Sequence, residues 1–300
     1  MKKEVLAVAL LLGLAAGLFA CGKKEIAIIT TAAPSTTGAA TGAAENTTLS
    51  EEELAWLAEY EAQYPYTYKA GGFTIRYYVE NGMAFVDYDG TWVPDDDTDG
   101  TFAVPVAIGG MPVRWAWEAD DEEVSLRKLH CTELIVPAGV KAVSMDLSSA
   151  ETVRLGPDVE SFLISRGAVD HIEADPESKH LRSIDGVLFN RDGTALLQYP
   201  TGRQQARYEI PEGVEAIAPD AIWFSRPVAL KEVVVPASVT VFPDDLDDLI
   251  NTYGYQLTFI VMPDSAAERY FKRQMQSEAY RNAKEETGEE PFLMRAQGLG

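Results

Sequence analysis

An internal repeat constrains this chain more than any other feature. The segments Leu134–Val143, Val153–Phe162, Tyr208–Ile217 and Val233–Phe242 align without gaps. Each carries apolar residues at relative positions −2, 0, +4 and +7, with Pro or Gly at +1. The zero positions are Val136, Leu155, Ile210 and Val235, and all sixteen slots are apolar, which composition alone does not produce. Weaker copies surround them. Phe102 and Val104, with Ile108 and Met111, lie upstream; Ile172 and Ala174, with Leu181, fill the middle, where Ser178 interrupts the +4 slot; Phe259 and Val261 precede Pro263. Steps of 19, 19, 25 and 26 residues between zero positions each suit one coil of a stacked repeat.

The physics of one repeat follows from the spacing. Positions −2 and 0 point to the same side of a short strand, because side chains alternate along a strand. Proline at +1 cannot donate a ladder hydrogen bond, so the strand ends and the chain turns. The +4 and +7 residues then return to cover the core from its other wall. A single repeat cannot bury its apolar face, whereas stacked repeats can.

The residues also carry a family resemblance. L-x-x-V-x-V-P-x-x-V-x-x-F at Leu230 to Phe242 resembles the BspA-like leucine-rich repeat, and so does the insertion from Ser183 to Gly202. Val104 to Ala116 looks like an opening coil and Ile260 to Phe271 like a closing coil that leads into a helix. The resemblance covers residues 73 to 275. It implies a β-rich leucine-rich-repeat solenoid of short parallel strands with an irregular convex side, an inserted β-hairpin and flanking helices. The hairpin would pair Val187–Asn190 with Ala195–Tyr199 around Arg191-Asp192-Gly193-Thr194. Departures at 116 to 131, where Asp120-Asp121-Glu122-Glu123 stands, and at 144 to 150 predict irregular coils there. Ser50 followed by Glu51, Glu52 and Glu53 reads as a capping box for a helix through Leu54, Leu57 and Tyr60. Asp264 or Ser265 would start another, with Tyr270, Phe271 and Met275 inward.

The N-terminus reads as an address. Lys2 and Lys3 precede sixteen residues, Val5 to Ala20, made only of Val, Leu, Ala, Gly and Phe. That run is short for a spanning helix and right for a signal-peptide core. Leu18-Phe19-Ala20-Cys21-Gly22 resembles the bacterial lipobox, although Phe19 is bulky for its slot. The resemblance implies cleavage before Cys21 and lipid on its sulfur, holding the protein to a membrane and facing outward in a bacterial cell envelope. Two acyl chains anchor stably where one does not. The predicted organisation is a signal peptide at 1–20, a lipid-anchored tether at 21–49, a solenoid with helical caps at 50–285 and a frayed tail at 286–300. The tether is rich in Thr, Ala, Ser and Gly and would span roughly 30 Å.

With 25 Lys+Arg against 47 Asp+Glu, the net charge is −22. So acidic a surface repels phosphate backbones, which excludes nucleic acid as a partner class. Once Cys21 is acylated, Cys131 has no intramolecular partner and reads as a small core residue. The chain has no His-Glu-x-x-His, paired-cysteine, Gly-x-Ser-x-Gly or phosphate-loop motif. Ser125 and Lys128 match the Ser-x-x-Lys of penicillin-binding enzymes, but the companion motifs are missing. His130, His171 and His180 lack metal-ligand spacing. Asp95, Asp97 and Asp99 before Gly100 reproduce the first half of a calcium loop, yet Val106 stands where the bidentate Glu belongs, so any calcium binding is weak. Asp244, Asp245, Asp247 and Asp248 form a plainer charge run, and Trp223-Phe224 an aromatic pair in a family loop.

Outward strand positions −3 and −1 are predicted to stack into one continuous sheet face: Glu133/Ile135, Thr152/Arg154, His171/Glu173, Arg207/Glu209 and Glu232/Val234. Individually these are cross-strand pairs, such as Arg154 beside Glu173; as an ensemble they form a face able to bind a protein or glycan at the cell surface. The expected function is therefore a non-catalytic recognition or adhesion module without a cofactor. The alternatives are an assembly lipoprotein bound to another envelope protein and, through Ser125, a wall hydrolase. The anchor is directly testable. Cys21→Ser is expected to abolish incorporation of a labelled fatty acid and to leave the signal peptide uncleaved, read by mass spectrometry of the N-terminus.

Overall fold

The computed structural model describes residues 16–18, 27–29, 50–86, 93–94, 100–115, 123–219, 221–222, 229–244, 246 and 257–297. The chain divides into two compact units, Met1–Ala116 and Trp117–Gly300. Ala16–Leu18 and Ala27–Ile29 form a short antiparallel pair.

In the first unit, helix α1 (Glu51–Gln63) starts where the capping pattern predicts, with the Ser50 carbonyl accepting from the Leu54 amide at 3.0 Å. The sheet runs β1 (Tyr66–Ala70), β2 (Phe73–Glu80), β3 (Met83–Val86), and then β7 (Met111–Arg114) and β6 (Ala107–Ile108); β4 (Val93–Pro94) also pairs with β2, and β5 is Thr101–Ala103. Alternation along β2 sorts its side chains. Phe73 and Ile75 enter a core with Ala84, Val86, Phe102, Val104 and Trp115, whereas Arg76 and Tyr78 meet α1. Helix α1 docks by rings at four-residue spacing, Trp56, Tyr60 and Tyr64, continued on the sheet by Tyr78 and Phe85 with centroids 4.9 to 5.6 Å apart. Arg76 pairs with Glu61 at 2.6 Å. Leu54 is 44% exposed, because the aromatic stripe sets the docking face. Gly71, at φ 66°, is required: a Cβ there would lie 2.5 Å from the Thr101 carbonyl oxygen.

The second unit is strand-rich with parallel sheets. β8 (Glu123–Arg127), β9 (His130–Val136), β10 (Ala142–Leu155) and β11 (Ser161–Ala174) pair in parallel, with β10 between β11 on one side and both β8 and β9 on the other. The register Val136↔Leu155↔Ala174 is the 19-residue sequence step. Two interior columns follow from it, Leu134/Val153/Ile172 and Leu126/Met145/Ile164, all essentially solvent-free. The chain turns a corner within each repeat: Lys128 at φ 57° and Leu147 at φ 51°, nineteen residues apart, adopt the left-handed conformation.

Residues 144 to 150 carry the irregularity expected of them, within a strand: the β10–β11 register shifts between Met145 and Asp146 and again before Ser149. Buried Ser148 accepts from the Leu129 amide at 3.0 Å and its hydroxyl lies 3.1 Å from the Leu126 carbonyl, closing the corner with hydrogen bonds where an aliphatic side chain would pack. One step on, Gly167 is obligatory, since a Cβ would sit 2.0 Å from the Ser148 carbonyl oxygen.

One turn closes the strand in repeat after repeat. The +4 amide donates to the +1 carbonyl: Val159 to Gly156, Ser178 to Asp175, Val214 to Pro211, Val239 to Pro236 and Ser265 to Met262, at 3.0 to 3.3 Å. Val140, Val159, Val214 and Val239 fill the +4 slot and are buried. Where serine replaces valine, its hydroxyl takes up a backbone amide three residues on, Ser178 from Leu181 and Ser265 from Glu268, both at 3.1 Å.

After β11 comes an antiparallel insertion of β12 (Leu181–Ile184), β13 (Val187–Asn190) and β14 (Ala195–Gln198). The β13–β14 hairpin turns about 191 to 194, where the Asn190 side chain accepts from the Thr194 and Ala195 amides. Then follow β15 (Arg207–Glu209), β16 (Ala216–Ile217), β17 (Glu232–Val235) and β18 (Leu257–Val261). Helices α2 (Ala266–Gln274) and α3 (Glu278–Thr287) precede β19 (Phe292–Ala296). β15, β17, β18 and β19 form a second parallel sheet, in which Tyr208↔Val233 and Val235↔Val261 reproduce the 25- and 26-residue steps. Ser265 caps α2, and Tyr270 and Phe271 are buried beneath it as expected.

Where a frayed tail was expected at 286–300, the described residues instead complete α3 and add a strand. Phe292–Ala296 pairs in parallel with β18, Phe292 is solvent-free, and the Tyr280 hydroxyl of α3 donates to its carbonyl at 3.1 Å. Its zero position, Ala296, is followed by Gln297 rather than Pro or Gly, which is why the repeat pattern passed over it. Two substitutions test the repeat. Leu134→Ala is expected to cost about 2–5 kcal/mol, and Gly156→Ala, which drives a Cβ to 2.6 Å from the Pro137 carbonyl oxygen, should also destabilise the second unit. Denaturant unfolding measures both, with exposed Leu54→Ala as the near-neutral comparison, within about 0.5 kcal/mol.

Candidate functional site

The parallel register brings the −3 and −1 residues side by side. In the first sheet Glu133, Thr152 and His171 form one column, and Ile135, Arg154 and Glu173 the other. In the second sheet Arg207 and Glu209 stand beside Glu232 and Val234. The same register extends the columns to Thr258 and Ile260 on β18 and to Leu293 and Arg295 on β19. These four were missed in the sequence; Thr258 and Ile260 follow from the copy at Phe259 and Val261, whereas Leu293 and Arg295 carry no repeat signal.

The columns do not run as one continuous sheet face, as alternation alone predicts. The insertion takes the edge of β11: the Ile172 amide donates to the Gly186 carbonyl at 3.0 Å and the Gly202 amide to the Val169 carbonyl at 2.7 Å. His171 lies against the turn at Gly186, where a Cβ would come within 2.3 Å of its Nδ1, so only glycine leaves room for the ring. The face is therefore two patches, with β9, β10 and β11 in one and β15, β17, β18 and β19 in the other.

Each patch is knitted by a charge ladder. Arg154 sits between two acids, donating through Nε to Glu133 Oε1 at 2.5 Å and through Nη1 to Glu173 Oε2. The hydrogen bond to Glu133 and the charge of Glu173 hold its guanidinium above the usual arginine range. In the second patch Glu232 is shared by Arg207 at 2.9 Å and Arg295 at 3.0 Å, and Arg207 also grips Glu209. Arg295 stands opposite Ile260, yet its guanidinium reaches Glu232 two strands away, so its aliphatic stem crosses β18. Outward Val234 and Ile260 are consequently buried, at 8% and 4% exposure. Arg154 itself is half exposed, and an exposed pair of this kind adds at most about 1 kcal/mol to stability.

Other candidates separate. Cys131 is partly buried and its thiol lies 3.8 Å from the Ser149 carbonyl; burial first, and then Glu133, push the thiol up to about 12. It is a structural thiol. Ser125 lies within extended β8 and Lys128 at the left-handed corner beyond it, not on one helical face as a Ser-x-x-Lys pair needs. His130 bonds Ser149 Oγ at 2.8 Å and His180 lies 4.0 Å from Glu160, so the histidines do not converge. Among the described residues no three His, Cys, Asp or Glu side chains gather as a metal would need, and no helix is long and apolar enough to cross a membrane. Cys21, the Asp95, Asp97 and Asp99 loop, Trp223-Phe224 and most of the 244–248 charge run lie outside the described residues.

No protein-family model matches the chain, and no curated protein matches it either. Three solved structures are similar at low identity. A leucine-rich repeat protein from Eubacterium ventriosum is 15% identical, with 66% of this chain and 73% of that one covered and a TM-score of 0.29. A leucine-rich cell surface protein from Faecalibacterium prausnitzii is 13% identical, covering 60% and 73%, at 0.26. The pneumococcal vaccine antigen PcpA is 11% identical, covering 79% and 100%, at 0.25. Likenesses this weak carry nothing over to this chain.

The thiol gives a direct check. With its pKa at about 12, folded Cys131 holds roughly a thousandfold less thiolate at about pH 8 than an ordinary thiol. Mass spectrometry of its peptide is expected to show slow labelling in the native chain and rapid labelling in denaturant. Because burial raises this pKa above the unfolded value, its contribution to stability is intact below about pH 8.5 and is lost as pH climbs toward the folded value.

Proposed function

We propose that this chain is a lipid-anchored leucine-rich-repeat solenoid of the BspA-like kind, acting as a non-catalytic recognition or adhesion module on the cell envelope. In this reading lipid on Cys21 holds it at the membrane, residues 21–49 form the tether, and the repeats present their strand face to a protein or glycan. The observation that carries the reading is the register: residues spaced 19, 25 and 26 apart in sequence are neighbours on parallel strands. Stacked repeats of this kind create extended exposed strand faces without requiring a cleft. The side chains there suit binding better than chemistry, since each arginine is already paired to a carboxylate.

Solid-phase binding of the mature chain to matrix proteins, peptidoglycan and a glycan array tests the reading, with calcium and with chelator. Saturable binding to one class that is weakened by substitutions on the strand face is the expected result. Loss of binding in chelator would make Asp95, Asp97 and Asp99 a calcium site. A folded chain that binds no member of the panel, yet crosslinks to an envelope protein in cells, would replace the reading with an assembly role.

A further inference from the structure

Charge is distributed unevenly over this molecule. The outward columns of the two parallel sheets hold three arginines, Arg154, Arg207 and Arg295, against four glutamates, Glu133, Glu173, Glu209 and Glu232. That leaves −1 on the strand face of a chain whose net charge is −22. Two acids stand exposed at the rim immediately before the column residues Thr152 and His171: Glu151 and Asp170, whose carboxyl is raised by partial desolvation and then by the charge of Glu151. An anion approaching the face is repelled at that rim, and a cation finds the face carboxylates already held by guanidinium groups.

The hydrogen-bonding capacity that remains is of another kind. Arg154 has five N–H donors, of which Nε and Nη1 serve Glu133 and Glu173, and each carboxylate keeps further acceptor positions. The Thr152 side chain stands between Glu133 and His171 in the neighbouring column, and Ile135 supplies an apolar surface opposite Arg154. Donors and acceptors thus alternate across strands about 4.8 Å apart. A ligand that meets such a surface without disrupting it must be uncharged and must both donate and accept at each group, which is the property of a sugar hydroxyl. A peptide adding as a strand is excluded at β11, because Gly186 and Gly202 already occupy that edge.

We propose that the first patch binds an uncharged glycan, with adjacent hydroxyls bridging the Arg154 guanidinium and the carboxylates of Glu133 and Glu173. This rests on the recognition reading above and names its ligand class. Arg154 acts as the fork that donates to the sugar while holding both acids in place. Lysine cannot replace it, because a point charge on a flexible stem does not present parallel donors.

Titration of the mature chain against neutral, uronate and sulfated polysaccharides, together with matrix proteins, provides the test. Binding to a neutral polysaccharide is expected to change less than about twofold when salt shortens the Debye length from about 10 Å to about 3 Å. Arg154→Ala and Arg154→Lys should each weaken it by about tenfold or more, the scale of a lost charge-assisted hydrogen bond. Glu173→Gln, which keeps an acceptor oxygen, should weaken it less than either. Unchanged circular dichroism and unfolding midpoints of the variants separate lost contacts from lost fold. Binding confined to charged polysaccharides, or to a protein, overturns the proposal while leaving a recognition module. Neutral-glycan binding that ignores the Arg154 variants overturns the site. A folded chain that binds nothing in the panel removes both the ligand class and the recognition reading.

Discussion

A single backbone turn underlies the second unit. At the end of five strands the carbonyl at +1 accepts from the amide at +4, and the chain reverses over a small buried residue. The turn sets the repeat, because it fixes where one strand stops and where the next run of core residues begins. Stacking then satisfies what the turn leaves open. The Glu160 amide donates to the Lys141 carbonyl, Thr240 to Glu215 and Lys231 to Ala206, each joining one repeat to another. Buried backbone groups need partners, and here a neighbouring repeat supplies them. No repeat is complete without another against it.

Variation within this frame has consistent chemistry. The +4 slot tolerates two solutions: an aliphatic side chain that fills space, or a serine whose hydroxyl takes up a backbone amide. Ser178 uses the second in mid-stack and Ser265 uses it to begin α2, so the same local geometry serves as a turn in one place and a helix cap in another. Ser148 plays a comparable part at the inner corner. Close approach imposes its own requirement. Gly156, Gly167 and Gly186 stand where a neighbouring repeat's backbone or ring comes too near for any side chain.

The strand face shows how charge and fold are reconciled in so acidic a chain. Like charges on adjacent strands destabilise a sheet, whereas opposite ones support it. Alternating Glu133, Arg154 and Glu173 across three strands, and placing Glu232 between Arg207 and Arg295, keeps the closely packed columns nearly neutral. Among the described residues, further acids stand exposed on turns and helices, as at Glu177 and Glu286, where water and salt screen them. The same arrangement yields a surface that is polar but not ionic in sum.

The apolar spacing around Val136, Leu155, Ile210 and Val235, the proline turns and the hairpin at 191 to 194 were legible because each depends on local chemistry: side-chain alternation, a missing amide, an Asn-led turn. So were the ten outward positions, since alternation assigns them once a strand is placed. Contacts between distant segments were not legible. Helix α1 docks through Trp56, Tyr60 and Tyr64 rather than Leu54 because rings on another element wait for it. Phe292 becomes core because β18 has an open edge to receive it. The outward columns divide because Gly186 and Gly202 reach the edge of β11 first. Sequence by itself determined the repeat and the sidedness of the strands that carry its signal, as properties of bonds between near neighbours. Tertiary structure alone decided which edges meet, and therefore which charges pair, because that depends on backbone groups competing for partners across the whole unit.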